Sequence, residues 1–247
     1  MGYTIAICGK GGTGKTTIAS LIINWLVKNK KGRILAVDAD PNANLASNLG
    51  FETTVNIGAI LDEVAKDPSK LPQGMSKKDY IDYRIQTDIT EAEGFDILVM
   101  GRPEGPGCYC YVNNLLRGIV KKISDNYDFI VVDNEAGLEH LSRRTTRSAD
   151  ILIVVSDGSA VGLRSAKRIY DLIKELDIKV TKKFLLLNRS SNNLETDKEI
   201  KELEYLDSIP IDKDLLGLSE KGKPVSDLKN GSVAIKSIER ICGKLWQ

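Results

Sequence analysis

The sequence contains few cysteines, a single histidine and no long apolar run. Four cysteines in 247 residues are too few for a disulfide framework, so we expect a reducing, cytoplasmic environment. No run approaches the roughly 18 consecutive apolar residues that a membrane span requires. The first residues lack the basic region and the small-residue cleavage site of a secretory signal. We therefore expect a cytoplasmic protein without a membrane anchor.

The chain also lacks an excess of either charge. Its 35 lysines and arginines balance 34 aspartates and glutamates, which gives a formal net charge of +1. This balance provides no electrostatic reason to expect nucleic acid or an anionic lipid surface as the main partner. Hydrophobic residues make up 42% of the sequence, enough for a large core. We expect one domain over residues 1–247.

Short apolar runs alternate with segments of helical periodicity. The runs are rich in leucine or β-branched residues and are bounded by polar residues or glycine; they cover 3–8, 33–38, 95–100, 127–133, 150–156 and 183–188. Apolar residues at helical spacing occupy 15–30, 160–177 and 233–246. The alternation predicts an α/β fold with a doubly wound, mainly parallel sheet and helices on both faces. The polar stretch 51–94 predicts a helical insertion.

A glycine-rich loop follows the first apolar run and leads into the first helical segment. Its sequence GKGGTGKTT, residues 9–17, matches the phosphate-loop pattern G-x-x-x-x-G-K-[ST]. Glycines let successive backbone N–H groups point at phosphate oxygens, and the helix N-terminus adds its positive dipole end. We expect Lys15 to contact the β- and γ-phosphates and Thr16 to ligate Mg²⁺. The other loop residues predicted to bind nucleotide are Gly11, Gly12, Thr13, Gly14 and Thr17.

The same loop contains the dinucleotide pattern G-x-G-x-x-G at Gly9, Gly11 and Gly14. That pattern alone is weakly specific, and the following Lys15 and Thr16 favour a nucleoside triphosphate. The sequence therefore predicts a P-loop NTPase that uses ATP and Mg²⁺.

Aspartates follow two further apolar runs. Asp38 ends the run 33–38, Asp40 follows it by two residues, and Asp133 ends the run FIVVD, so all three should lie at the carboxyl edge of the sheet, where its ligands bind. Asp133 follows four apolar residues, as in a Walker B motif, and we expect it to hold the Mg²⁺ shell. Asp38 would help to organise the ion through water. A turn or helix-cap role is the alternative for Asp38 and Asp40.

A predicted switch segment, 133–147, follows the Walker B motif. Gly137 would let its backbone N–H approach the γ-phosphate. His140 is interpreted as a packing or hydrogen-bonding residue of this segment, and a role as a transient metal ligand is the alternative. Glu139 is placed in the same switch segment without an assigned role.

Residues near the end of two later strands are candidates for contact with adenine. Asn188 ends the run 183–188, and its amide can both donate to and accept from the base. Pro210 and Ile211 could pack against the base. The predicted contacts are Asn188, Arg189, Pro210, Ile211 and Asp212, and an ordinary strand-to-loop exit is the alternative for each.

Two cysteines, Cys108 and Cys110, are separated by one residue in GPGCYC, after the run 95–100. A disulfide across one residue would be strained. Inert thiols, a redox pair and metal ligands remain open from the spacing alone. Cys8 and Cys242 lie in apolar segments and are predicted to be buried small hydrophobes.

The phosphate loop with its early Lys10 resembles the deviant Walker A motif of the MinD, ParA and nitrogenase-iron-protein class. The resemblance implies that Lys10 reaches phosphates bound by the partner subunit of a homodimer. It also implies that Asp40 orients the attacking water. With Lys15, these residues form the predicted catalytic set.

Together with GPGCYC and AGLEHLSR, the loop resembles the CooC-type nickel-insertion ATPases, which include AcsF, over nearly the full chain. The resemblance implies a homodimer that forms on nucleotide or metal binding, in which Cys108 and Cys110 of both protomers bind Ni²⁺ or Zn²⁺ at the dimer interface. Four thiolates suit tetrahedral Zn²⁺ or square-planar Ni²⁺. The implied client is a nickel enzyme, carbon monoxide dehydrogenase or acetyl-CoA synthase.

Two other functions remain open. An ATPase similar to the nitrogenase iron protein would hold an iron–sulfur cluster between subunits, but the sequence DNEAGLEHLSRR lacks the switch cysteine that this reading needs. A MinD/ParA-type spatial organiser would act on membrane or DNA. Neither the net charge nor the C-terminal helical segment, which lacks a dense basic face, favours it.

Overall fold

A computed structural model describes residues 2–52, 55–102, 109–136, 148–190 and 203–246. Eight strands in these ranges form one sheet, in the order β3-β4-β2-β5-β1-β6-β7-β8. They are β1 Tyr3–Gly9, β2 Ile34–Ala39, β3 Thr90–Ala92, β4 Phe95–Val99, β5 Phe129–Asn134, β6 Ser148–Ser156, β7 Lys179–Asn188 and β8 Glu204–Ile209. Every neighbouring pair is parallel except β3–β4, which is antiparallel. The predicted mainly parallel sheet is confirmed.

Strand β7 begins four residues before the apolar run that predicted it. Its first residues are mostly exposed and include lysines, but they pair with β6 from Lys179 onward. Cross-strand hydrogen bonds extend this strand beyond its buried part, and an apolar run cannot reveal that extension.

The helices of the described ranges lie between and after these strands. They are α1 Lys15–Lys28, α2 Asn44–Asn48, α3 Ile57–Lys66, α4 Lys77–Thr87, α5 Tyr109–Ile123, α6 Ala160–Glu175, α7 Lys213–Glu220 and α8 Val233–Leu245. Five begin after a polar side chain that accepts a hydrogen bond from the first turn: Asn56, Ser76, Ser159, Asp212 and Ser232. Helix α1 instead begins after Gly14, without a side-chain cap. Its first N–H groups therefore remain available for a ligand.

Alternate side chains of the strands pack on opposite faces of the sheet. Ile34 and Ala36 of β2 pack in a core with α1, α2 and α8, whereas Leu35 and Val37 pack in a core with α3, α4 and α5. Helix α6 covers the second face on the β1–β6–β7 side. The doubly wound arrangement is therefore confirmed, and α8 buries its apolar side in the first core. Among the described helices, none is long and apolar enough to cross a membrane.

The segment 51–94 supplies α3, a short 3-10 turn, α4 and the edge strand β3. Ile57, Ile60 and Val64 of α3 and Ile81 and Ile85 of α4 are buried against α5. These two helices therefore support α5, the helix that contains Cys110. The single-domain organisation stays a prediction.

Candidate functional site

The loop between β1 and α1 depends on its glycines. A Cβ at Gly9 would lie 2.3 Å from the carbonyl oxygen of Val155. Gly12 and Gly14 have φ of 80° and 89°, a left-handed conformation that glycine adopts without strain. This backbone places Gly11 and Gly12 at the surface and carries the chain into the uncapped start of α1.

The two lysines of this loop differ in environment. Lys15 is only 6% exposed, and its Nζ lies 3.4 Å from the carbonyl oxygen of Lys10. The Thr13 hydroxyl donates to the same oxygen at 2.8 Å. Lys15 is therefore held within the loop, whereas the Lys10 side chain is exposed at the surface. The predicted reach of Lys10 into a partner subunit stays a prediction.

Two buried aspartates meet at the carboxyl edge of the sheet. Asp38 of β2 and Asp133 of β5 are register partners and are 0% and 1% exposed. Burial raises the pKa of Asp38 to about 7, and the neighbouring Asp133 adds to the rise. Burial also raises the pKa of Asp133 to about 6, against the opposing effects of a hydrogen bond with Thr16 and the charge of Lys15. Both shifts report unfavourable burial of negative charge.

The residues predicted to hold Mg²⁺ fit that ion. Oδ1 of Asp133 is buried and has no hydrogen-bond partner within the described part of the chain. Asp38, Asp133 and Thr16 supply carboxylate and hydroxyl oxygens, the donors that Mg²⁺ prefers. A divalent cation would offset the charge of two carboxylates that the sheet has removed from water.

Asp38 and Asp40 also have the structural roles that were the alternative for them. Asp38 accepts hydrogen bonds from the backbone N–H groups of Asp40, at 3.1 Å, and Leu45, at 2.8 Å. Asp40 accepts from the N–H of Asn42 at 2.8 Å. Asp38 thus fixes the loop that presents the half-buried Asp40 at the sheet edge.

Two of the candidate base-contacting residues, Asn188 and Arg189, contact the phosphate loop. The amide of Asn188 donates to the carbonyl oxygen of Thr13 at 2.8 Å, and the backbone N–H of Ser190 donates to Ile209 at 3.2 Å, which joins the ends of β7 and β8. Beyond β8, Ile211 is 60% exposed. Asn188 and Arg189 are therefore brought to the loop, whereas Pro210, Ile211 and Asp212 follow the strand that pairs with β7. Their contact with adenine stays a prediction.

Asp212 has a role that the sequence pattern did not suggest. Its carboxylate accepts from the N–H groups of Asp214 and Leu215 at the start of α7 and from Ala234 at the start of α8, at 2.9–3.1 Å. Burial acts to raise the pKa of Asp212, but these hydrogen bonds together hold it below its ordinary value. The signal that was available is an aspartate directly before a helix.

Several predicted residues lie outside the described ranges: Cys108, Gly137, Glu139 and His140. Cys110 belongs to α5, but its side chain is also outside them. The described residues do place Met100, a buried residue just before the segment that leads to the cysteines. The N–H of Met100 donates to the carbonyl oxygen of Asp38 at 2.9 Å, and Met100 accepts from the N–H of Gly58 at 3.0 Å. The chain therefore enters the segment that leads to the cysteines next to Asp38.

The other two cysteines are buried, as predicted. Burial raises the pKa of the Cys8 thiol to about 12, partly opposed by the charge of Lys15. Burial also raises the pKa of Cys242. Both are neutral thiols at pH 7, which is the wrong state for a metal ligand.

Two asparagines are buried although the sequence pattern did not lead us to predict it. Asn113 is 1% exposed, and neither of its amide atoms has a hydrogen-bond partner among the described residues. Asn134 donates to the carbonyl oxygen of Ile7 at 3.0 Å. Asn113 precedes Leu116 by three positions on the buried side of α5, so a polar residue at an apolar helical position was the available signal.

The comparisons with known proteins agree with this geometry. Residues 2–186 match the family model AAA_31, described as an AAA domain. An uncharacterized ATP-binding protein of Methanocaldococcus jannaschii is 42% identical over 247 residues, covering 98% of this chain and 97% of that protein. The carbon monoxide dehydrogenase accessory protein CooC of Rhodospirillum rubrum is 28% identical over 244 residues, 91% of this chain and 89% of that protein.

Solved structures share the fold. The septum site-determining protein MinD of Pyrococcus horikoshii, complexed with Mg-ADP, superposes with a TM-score of 0.72 at 24% identity and covers 99% of this chain and 96% of that one. The family match spans the phosphate loop and the three aspartates. The chain therefore belongs to the AAA_31 family of AAA domains and is an ATP-binding P-loop ATPase of the MinD/ParA type.

Proposed function

We propose that this ATPase is a cytoplasmic, single-domain metallochaperone that handles nickel for a client metalloenzyme. The likeness to a carbon monoxide dehydrogenase accessory protein over 91% of the chain supports this function. So does the C-x-C pair, Cys108 and Cys110, in the sequence that follows β4. Carbon monoxide dehydrogenase and acetyl-CoA synthase are the candidate clients.

ATP hydrolysis on this proposal uses residues of the sheet edge. Lys15 contacts the phosphates, and Thr16, Asp38 and Asp133 would hold Mg²⁺, which would neutralise phosphate charge. Asp40 orients the attacking water. Phosphoryl transfer depends mainly on positioning and charge neutralisation, so one well-placed carboxylate is sufficient for the water. Exposed Lys10 reaches the phosphates of a second protomer and makes hydrolysis depend on dimerisation.

Metal capture uses the C-x-C pair. Cys108 and Cys110 supply two thiolates, and a twofold dimer supplies four. Four sulfur ligands bind Ni²⁺ as cargo, and Zn²⁺ competes for the same set. Binding of the cargo therefore requires the dimer that ATP promotes.

The observation that carries the proposal is the backbone contact between Asp38 and Met100. The side-chain carboxylate of Asp38 fixes the loop that contains Asp40. The backbone carbonyl oxygen of Asp38 accepts a hydrogen bond from the N–H of Met100 at 2.9 Å. Gly101, with φ 63°, follows directly; a Cβ there would lie 2.1 Å from Oδ1 of Asn56. A movement of the aspartates on hydrolysis would thus be transmitted to Met100 and Gly101, which precede the cysteines in the sequence.

The decisive experiment measures Ni²⁺ and Zn²⁺ binding and oligomeric state, with and without ATP, for the wild type and for Cys108→Ala/Cys110→Ala. We expect the double variant to bind nucleotide and to lose one metal ion per dimer. The matched control is Cys8→Ala/Cys242→Ala, which removes two buried neutral thiols and should keep the metal. Equal metal binding by wild type and the C-x-C variant would refute the proposal.

The alternatives give different results in the same preparation. An iron–sulfur cluster would give a brown protein after anaerobic purification, with visible absorbance that the C-x-C variant loses. A spatial organiser would co-sediment with anionic liposomes or DNA in the presence of ATP, independently of Cys108 and Cys110.

A further inference from the structure

The carboxyl end of β7 is joined to the phosphate loop by two side chains. The Asn188 amide nitrogen donates to the Thr13 carbonyl oxygen at 2.8 Å. The Arg189 guanidinium donates to the Gly12 carbonyl oxygen at 3.4 Å, a longer and weaker contact. Two consecutive carbonyl groups of the loop are thus held from the same side, by residues that lie 175 and 177 positions away in the sequence.

The orientation of the Asn188 amide is itself fixed. Its Oδ1 accepts from the N–H of Arg189 at 3.0 Å, so the amide nitrogen faces Thr13. Arg189 has φ 55°, a left-handed conformation that is unfavourable for a residue with a Cβ. The hydrogen bond to Oδ1 supports this conformation. Asn188 is only 8% exposed.

The contact between Asn188 and the loop is close. A Cβ at Gly14 would lie 2.4 Å from the amide nitrogen of Asn188. Gly14 therefore allows Asn188 to approach, and Asn188 in turn restrains a glycine-rich backbone that has few restraints of its own.

The peptide group between Thr13 and Gly14 converts this contact into an effect on the site. The described backbone has no cis peptide bond, and in a planar trans peptide the C=O and N–H point in opposite directions. A donor that fixes the Thr13 carbonyl toward β7 therefore fixes the Gly14 N–H away from β7. Backbone N–H groups of this loop are the groups that bind phosphate.

We propose that Asn188 is a positioning residue of the phosphate loop, which it acts on through the Thr13 carbonyl. Its contribution then serves the phosphate part of every nucleotide and does not depend on adenine. This inference rests on the ATPase family of the chain and is independent of the nickel proposal.

The test uses a ligand without a base. The affinities of wild type and Asn188→Ala for ADP, GDP and inorganic pyrophosphate are measured by titration calorimetry with Mg²⁺. Loss of one hydrogen bond that preorganises the loop should weaken all three by a similar factor of about five to ten. A loss confined to ADP, with GDP and pyrophosphate unchanged, would overturn the proposal and assign Asn188 to the base alone.

A matched control separates the base from the phosphates. Ile211 is 60% exposed beyond β8, and its predicted contact is with the base alone, which pyrophosphate lacks. Ile211→Ser should leave pyrophosphate affinity unchanged. If Ile211→Ser weakened pyrophosphate as much as Asn188→Ala does, the effect of Asn188 would be nonspecific, and the proposal would fail.

A second variant keeps the test valid if Asn188→Ala does not fold. The aspartate of Asn188→Asp has nearly the same shape as asparagine, but its ionised carboxylate cannot donate a hydrogen bond to Thr13. Burial at this 8% exposed position and the facing Thr13 carbonyl oxygen should raise the pKa of the new carboxyl above the ordinary value of about 3.9. The protonated carboxyl can donate to Thr13, so the deficit in pyrophosphate affinity relative to wild type should shrink as the pH falls from 8 toward about 4. A deficit that is constant with pH would contradict a donor role for this side chain.

Discussion

Replacing Asp133 by asparagine should stabilise the nucleotide-free protein while abolishing its ATPase activity. Asp133 is 1% exposed, and its Oδ1 has no hydrogen-bond partner in the described ranges. Its partner across the sheet, Asp38, is also a buried carboxylate. Asparagine is nearly isosteric and retains an oxygen that can accept from Thr16, so the substitution removes charge with little change in packing.

The magnitude follows from the pKa of Asp133. Burial raises this pKa from 3.8 to about 6, which corresponds to about 3 kcal/mol of unfavourable folding free energy above pH 6. For a chain of this size, that free energy amounts to about 6–12 °C in Tm. This is an upper bound because the asparagine remains a buried polar group. We therefore expect an increase of several degrees at pH 8.

The sign of the pH dependence is also determined. The folded state holds the proton on Asp133 more tightly than the unfolded state does. Wild-type stability should therefore fall as the pH rises from about 4 to about 6, and Asp133→Asn should not show this part of the fall. The advantage of the variant should be largest at pH 8 and should shrink toward pH 4.

The assay is thermal unfolding followed by circular dichroism in EDTA at pH 8 and pH 5, together with ATP hydrolysis in Mg²⁺. Asp227→Asn, which changes an exposed aspartate, is the control and should shift stability by less than about 0.5 kcal/mol. A Tm for Asp133→Asn at or below that of wild type at pH 8 would refute the reasoning. An advantage that does not depend on pH would also refute it.

Three further outcomes test other parts of the structure. Gly14→Ala forces a Cβ to within 2.4 Å of Asn188 at φ 89°; we expect ADP binding to weaken at least tenfold in calorimetry, and unchanged affinity would show that the loop is not restrained there. Lys10→Ala changes an exposed side chain, so its Tm should match wild type while ATP-dependent dimerisation and hydrolysis are lost; a fully active monomer in size-exclusion chromatography would contradict a role in trans. Asp207 accepts hydrogen bonds from Arg240 at 2.8 and 3.1 Å. Burial acts to raise the pKa of Asp207, but the hydrogen bonds from Arg240, Ser208 and Lys244 together hold it below its ordinary value, so Asp207→Asn should reduce stability by about 1–3 kcal/mol at pH 7. This loss of stability should diminish as acid protonates Asp207 in the wild type. Denaturant unfolding at pH 7 and pH 3 measures the loss, and an equal loss at both pH values would contradict the prediction.

Local patterns allowed much of the fold to be predicted. Six apolar runs became strands within a few residues of their predicted limits, because a strand buried on both faces must be apolar throughout. The phosphate loop was predictable for a similar reason, since glycines at fixed spacing before a helix permit few other backbone paths. The edge strand β3 was not predictable, because its three residues are not buried and only their pairing with β4 defines them.

The sequence by itself determined the fold class, the phosphate loop and the acidic residues at the carboxyl edge. Tertiary structure decided which of these groups meet. It paired Asp38 with Asp133 across β2 and β5, and it placed Asn188 against Thr13 rather than leaving it at a simple strand exit. Hydrogen-bond partners distant in sequence depend on the order and register of strands. That order is set by the packing of the whole sheet, so no local pattern encodes it.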